Sequence, residues 1–301
     1  MKVFVVGASG AIGSRLVPQL IERGHEVIGS ARSPDKVQRL RRLGAESVVL
    51  DALDARAVRE ALAAAQPDAV VHQATALTGI SDLKHFDRTF AQTNRLRTEG
   101  TDNLLAAARE AGVGKFVAQS NANHRYAREG GPVKSEGDPL DPRPVAAMRA
   151  SVAAMNYVDE AVPGAGGIAL RYGIFYGDPD DGLVQAVRAR KFPVVGDGAG
   201  VWSFIHLDDA AAATVLAARA RRPRRLQHRR RRALTHPRVA AGACEDRRGQ
   251  VAPAFPAPGR PALRGRGAGR DGHRVARRVE RQGQARARLD PALPELAARL
   301  R

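Results

Sequence analysis

Along residues 1–220, short runs of apolar, often β-branched residues alternate with longer helix-like stretches. The runs Val3–Val6, Glu26–Ser30, Ser47–Leu50, Ala69–His72, Lys115–Gln119 and Ile168–Tyr172 read as strands of the kind buried on both faces. Between them, Ser14–Arg23, Pro34–Leu43, Ala55–Ala64, Thr98–Ala111 and Val145–Val162 read as helices. Gly24, Gly44 and Gly112 fall where helices are expected to stop. Strand and helix signals in this alternation predict an α/β fold with a doubly wound parallel sheet. No internal repeat is visible.

The junction of the first strand and first helix carries the most specific signal. KVFVVGASGAIG runs from a buried strand straight into Gly7, Gly10 and Gly13. Gly7 allows the tight turn, Gly10 lets backbone amides approach a pyrophosphate, and Gly13 lets the helix pack closely on the strand. The phosphates would then meet the positive end of the helix dipole. The expected contacts on this turn are Gly7, Ser9, Gly10, Ala11, Ile12 and Gly13, a dinucleotide site. After the second strand the chain reads Gly29-Ser30-Ala31-Arg32-Ser33, with no acid before Asp35. An NAD site usually places Asp or Glu here for the ribose hydroxyl, whereas Arg suits a 2′-phosphate. Arg32, with Ser30, therefore favours NADP over NAD.

Charge divides the chain in two. The whole carries 49 Lys+Arg and 31 Asp+Glu, a net +18. Residues 1–220 hold 26 basic and 25 acidic groups, so 49 − 26 = 23 basic and 31 − 25 = 6 acidic groups remain for 221–301. All 23 of those basic groups are Arg, and Phe255 is the segment's one aromatic residue. Such a composition has little apolar mass to offset the entropy of ordering. No apolar run reaches the length of a membrane span, and the first strand at residue 2 leaves no room for a leader peptide. The single cysteine, Cys244, cannot form an internal disulfide, which fits a reducing compartment, so a cytoplasmic location is expected.

Residues 1 to about 218 resemble the extended short-chain dehydrogenase/reductase family, the NAD-dependent epimerase/dehydratase group. The resemblance rests on the ordered succession GASGAIG at 7–13, VVLDALD at 48–54, DAVVHQAT at 68–75, GTDNLLAAAREAGVGKFVAQS at 100–120, LRYGIFYG at 170–177 and FIHLDDAA at 204–211. It implies a Rossmann-type sheet, a nicotinamide cofactor and a small C-terminal substrate lobe. The implied organisation is a nucleotide-binding domain over 1–165, the rest of the sheet and the start of the lobe over 166–220, and an irregular tail over 221–301. It also implies that Asp51, with Ala52 beside it, meets the adenine, and that the backbone at Gln73 and Ala74 runs past the cofactor.

The catalytic pattern of that family is incomplete here. Its chemistry uses a Ser or Thr after the fifth strand, plus a Tyr and a Lys four residues later. The Tyr is a general acid/base whose phenol, near pKa ~10 unperturbed, needs the Lys to act at neutral pH. Ser120 matches the Ser. Counting back from LRYGIFYG places the Tyr at about Met148 and the Lys at about Val152, neither of which can move a proton. Tyr126 follows Ser120 closely enough to share a pocket and is the candidate substitute acid. An Arg that binds a sugar nucleotide's diphosphate is replaced near Trp202, which offers a flat apolar face and one donor. The expected substrate is accordingly a small carbonyl or alcohol compound, and a cofactor-binding sensor without turnover is the rival reading. His206 and Asp208–Asp209 are read as a strand residue and a helix start, not as a metal site.

Three readings apply to 221–301: a nucleic-acid-binding tail, a disordered extension, and translation out of frame. The frame reading is favoured. Read one nucleotide later with GC-rich codons, Arg225–Ala243 permits GVYNIVDDEPSPTREWLP and Arg278–Leu296 permits ASNGKAKRELGWTPRYPSW, both similar to the family's C-terminal stretches. The substrate lobe would then be incomplete, and nucleic acid would bind the tail only nonspecifically.

Overall fold

The computed structural model describes residues 1–77, 86–178, 182–190 and 201–220. The arginine-rich tail, and every expectation attached to it, lies outside the described residues.

Six parallel strands form the central sheet: β1 (Lys2–Val6), β2 (Glu26–Ala31), β3 (Glu46–Val49), β4 (Ala69–His72), β5 (Lys115–Asn121) and β6 (Ile168–Tyr172), in the order β3-β2-β1-β4-β5-β6. The strand order reverses between β1 and β4, the crevice where doubly wound sheets bind ligands at their carboxyl ends. The helices are α1 (Gly13–Glu22), α2 (Pro34–Arg42), α3 (Ala55–Ala65), α4 (Phe86–Arg97), α5 (Glu99–Glu110), α6 (Arg149–Gly164), α7 (Gly182–Arg188) and α8 (Leu207–Arg219). Two short strands, β7 (Ile174–Tyr176) and β8 (Phe204–His206), pair in parallel as a separate ribbon.

Period-two alternation sends neighbouring side chains of each strand into different layers. Val3 and Val5 pack with Leu16, Leu20, Val37 and Leu40, whereas Phe4 and Val6 pack with Val58, Leu62 and Leu104. Both faces are thereby sealed, which is why the strands read as continuous apolar runs. Gly24, Gly44 and Gly112 adopt φ of +73°, +86° and +68°, the left-handed stop that glycine reaches without strain.

Two local expectations are corrected. The expected helix over Val145–Val162 begins with a 3-10 turn at Ala146–Met148 and becomes α-helical at Arg149. The N-cap of α8 is His206, not an aspartate: its Nδ1 accepts from the Asp208 amide at 3.2 Å. Asp208 and Asp209 occupy the first turn, where their charge suits the dipole. Helix α4 was not expected at all. It buries Thr93, Asn94, Leu96 and Arg97, three of them polar, so the apolar periodicity that betrays an amphipathic helix is missing.

His72 closes β4 and ties it to α4. Its Nε2 lies 3.1 Å from the Leu96 carbonyl, and its Nδ1 accepts from the Ala74 amide at 3.4 Å. Both bonds are satisfied by the neutral ring protonated on Nε2. Burial pushes the ring down to about 4, against the Leu96 bond and with help from the nearby Arg97 charge. The folded state therefore resists a proton that the unfolded chain takes up near pH 6.5. Stability from this group is full above that pH and is lost as pH falls toward 4, by about 3 kcal/mol in total. Urea midpoints measured across this window should fall steeply in the native protein and less steeply in His72→Gln.

Candidate cofactor and substrate site

The glycine turn stands at the crossover between β1 and β4. Gly7 has φ +81°, and a Cβ there would lie 2.7 Å from the Ala74 backbone at the end of β4. At Gly13 a Cβ would lie 2.4 Å from the Gly7 carbonyl oxygen and 2.5 Å from that of Ala8. Gly10 is different: it is exposed, and its Cβ would meet nothing nearer than the Gly7 oxygen at 3.3 Å. The Gly10 amide donates to Gly7 O at 3.0 Å and the Ala8 amide to Ser30 O at 3.1 Å. Among the described residues, the amides of Ala11, Ile12 and Gly13 donate no hydrogen bond, as expected for the open first turn of a helix. Ser9 is half-buried and Ala11 exposed, while the Ile12 side chain is buried in the core, leaving its backbone as the part that can face a ligand.

The remaining expected cofactor residues line the same sheet edge. Arg32 is exposed, one position past β2. Ser30 points inward instead, 1% exposed, with its hydroxyl unpaired. Asp51 follows β3, is exposed, and accepts from the Leu53 amide at 3.0 Å. The buried Ala52 presents its carbonyl to Asn103 Nδ2 at 3.0 Å, which pins this loop to α5. The Gln73 side chain turns away into the core, 3.4 Å from both Tyr172 Oη and Thr214 Oγ1. Ala74 is half-buried against Gly7.

Ser120 and Tyr126 prove to be the two ends of one buried network. At the end of β5, Asn121 Oδ1 accepts from the Asn123 amide at 2.7 Å, and beyond it His124 adopts φ +60°, in the left-handed region. The chain then presents Arg125, 0% exposed, whose Nη1 donates to Ser120 Oγ at 3.2 Å and to the Asn121 carbonyl at 3.1 Å. Arg125 Nη2 reaches Asn156 Oδ1 at 2.6 Å and Asp159 Oδ2 at 2.8 Å, both on α6. The same Asp159 oxygen accepts from Arg171 Nε of β6 at 2.5 Å, and Arg171 Nη1 donates to Tyr126 Oη at 3.2 Å. Burial lowers the Arg125 guanidinium, and the Asp159 charge opposes that shift. Arg125, Asp159 and Arg171 were not among the expected site residues. The signal for Arg171 and Asp159 was a charged residue set inside the apolar strand IALRY and inside the helix stretch NYVDEAV, whereas Arg125, in the polar run NANHRYAREG, carried none.

Where the family resemblance calls for Tyr and Lys, Met148 caps α6 and Val152 is 2% exposed within it. The other three tyrosines are committed elsewhere, Tyr176 lying edge-on to the Phe204 and His206 rings. Tyr157 Oη bonds Asp102, and the Tyr172 hydroxyl, 2.5 Å from Thr214 Oγ1, is pushed up to about 12 by burial. Trp202 stacks on Phe204 with centroids 6.1 Å apart and meets the His124 ring edge-on at 6.5 Å. Asp208 pairs with Arg15 of α1 at 3.2 Å, anchoring α8 against the glycine-turn helix.

Known proteins resemble this chain in sequence and fold. The sequence model of the NAD dependent epimerase/dehydratase family matches residues 3–228. A 3-diazoavenalumate denitrifying reductase from a Streptomyces species is 44% identical over 227 residues, covering 72% of each chain. A 2-alkyl-3-oxoalkanoate reductase from Stenotrophomonas maltophilia is 32% identical over 237 residues, covering 74% of this chain and 67% of the relative. Among solved structures, the UDP-glucose 4-epimerase of Thermus thermophilus in complex with NAD superposes with a TM-score of 0.58 at 27% identity, covering 74% of this chain and 76% of the epimerase. With the family match spanning both the glycine turn and the Ser120 strand, the chain belongs to the NAD dependent epimerase/dehydratase family of extended short-chain dehydrogenases/reductases.

Proposed function

We propose that the protein is a nicotinamide-dependent reductase of a small carbonyl compound, or the corresponding alcohol dehydrogenase, with NADP preferred over NAD. The observation that carries this reading is the glycine turn, where Gly7 and Gly13 have no room for a side chain while Gly10 stands open beside free helix-terminal amides. That cradle fits a pyrophosphate. Asp51 and Arg32 lie on the β2–β3 side, so they would hold an adenosine half, and the residues at the ends of β4 and β5 would meet the nicotinamide half. When bound, the cofactor supplies the hydride.

The chain's own contribution centres on Ser120. Its oxygen accepts from Arg125, so its hydroxyl proton is available to a substrate oxygen, and the guanidinium behind it strengthens that donation. As negative charge develops on the substrate oxygen during reduction, Ser120 and Arg125 stabilise it electrostatically. Tyr126 contributes through Arg171 at the far end of the network. The two relatives named as reductases support turnover. The absence of an ionisable side chain at Met148 and Val152 favours the second reading, a cofactor-binding protein without turnover.

Titration with NADPH and NADH, followed by cofactor fluorescence, tests the reading. NADPH should bind in the micromolar range, and Arg32→Ala should weaken it about ten-fold, ~1.4 kcal/mol, while leaving NADH unchanged. Equal loss for both nucleotides would overturn the NADP preference. NADPH oxidation with a panel of aldehydes and ketones separates enzyme from sensor, because a sensor shows no substrate-dependent rate.

A further inference from the structure

Three arginines are buried behind the sheet's carboxyl edge, and two of them share a carboxylate. Arg125 and Arg171 both bind Asp159. Arg97, the last residue of α4, is 8% exposed and has no hydrogen bond or ion pair among the described residues. Its Nε is fully enclosed without a partner. Burial, with Arg125 close by, lowers this guanidinium to about 10. The C-terminal dipole of α4 favours a cation, but a dipole end does not replace the hydration that burial removes. Arg125 also encloses an unpartnered Nε, but its Nη1 and Nη2 are both paired, and Arg171 is paired through Nε and Nη1.

The position of Arg97 says what the missing partner is. The neighbouring Leu96 carbonyl is held by His72 at the end of β4, and Arg125 lies on Ser120 at the end of β5. Arg97, close to Arg125, therefore stands by the ends of β4 and β5, on the side of the crevice that carries Ser120. We propose that Arg97 is the anion-binding residue of the substrate pocket and takes the carboxylate of a small oxo-acid while Ser120 addresses the reacting oxygen. A guanidinium matches a carboxylate with paired donors. The two relatives are named for an avenalumate and an alkanoate, both carboxylates. This assignment rests on the reductase reading above and goes beyond it in naming the substrate class.

The test uses the full 301-residue chain. Binding of NADPH is measured first, since failure there overturns the reductase reading independently of Arg97. Octanoate and methyl octanoate are then titrated by calorimetry into the NADPH-loaded native protein and into Arg97→Gln and Arg97→Lys. 3-Oxooctanoate and its ethyl ester are compared as substrates in parallel. The expected result is at least ten-fold tighter binding of octanoate than of its ester, lost in Arg97→Gln and partly kept in Arg97→Lys, with the NADPH constant moved less than two-fold. The turnover preference for acid over ester should collapse in the same variants, chiefly through KM. Equal binding of acid and ester by the native protein overturns the proposal, as does octanoate binding to neither. Loss of NADPH affinity in Arg97→Gln assigns the anion to the cofactor instead and overturns it too. Should Arg97→Gln fail to fold, the acid-over-ester comparison in the native protein and Arg97→Lys decides.

Discussion

Replacing Asp159 by alanine should destabilise the protein by about 3–5 kcal/mol, the largest single-residue effect expected outside the apolar core. The carboxylate is 3% exposed and accepts from Arg171 at 2.5 Å and Arg125 at 2.8 Å through one oxygen. Its removal leaves two guanidinium groups buried without a counter-charge. Urea denaturation at neutral pH measures the loss directly. The sign of a compensating change is also fixed: Asp159→Leu combined with Arg125→Leu and Arg171→Met removes all three charges of the network and should recover much of the stability. That triple variant should nevertheless lose turnover, because Ser120 no longer has Arg125 behind it. A loss below about 1 kcal/mol for Asp159→Ala would mean that water reaches the arginines and that the network is not sealed.

Gly13→Ala carries the second large effect, and it falls on binding. A Cβ at 2.4 Å from Gly7 O and 2.5 Å from Ala8 O is inside any real contact distance, and both atoms are backbone. Helix α1 must move off the turn, at a cost of about 1–3 kcal/mol. The displaced first-turn amides then miss the phosphates, and dinucleotide affinity should fall about 100-fold or more, ~2.7 kcal/mol. Gly10→Ala separates the two causes. Its nearest neighbour, the Gly7 oxygen, is 3.3 Å away and need give only a few tenths of an ångström, so the cost to folding should be far smaller than for Gly13→Ala. If the pyrophosphate lies against this turn, Gly10→Ala still weakens NADPH. Unchanged affinity in both variants would remove the glycine turn from the site.

The link between Ser120 and Tyr126 is invisible in the sequence. Ser120 is recognisable from the family resemblance and Tyr126 from its closeness to Ser120, but their connection passes through Arg125, Asp159 and Arg171, contributed by a loop, α6 and β6. No local pattern brings these together. The same holds for α4, whose buried face is polar and whose partners lie elsewhere: Asn94 Nδ2 donates to Ser151 Oγ of α6 at 3.1 Å. A helix stabilised by such cross-chain bonds leaves no apolar period to read.

The sequence by itself determined the alternation of strands and helices, the glycine stops and the turn at Gly7–Gly13. These depend on properties local to a few residues: the steric freedom of glycine, the apolar run of a doubly buried strand, and the period of an amphipathic helix. Tertiary structure alone decided that Gln73 and Ser30 turn inward, that His206 caps α8, and that one aspartate serves two arginines while Arg97 is left without a partner among the described residues. A buried polar group is tolerated or not according to what other segments bring to it, and packing supplies that information because the partners are far apart in the chain.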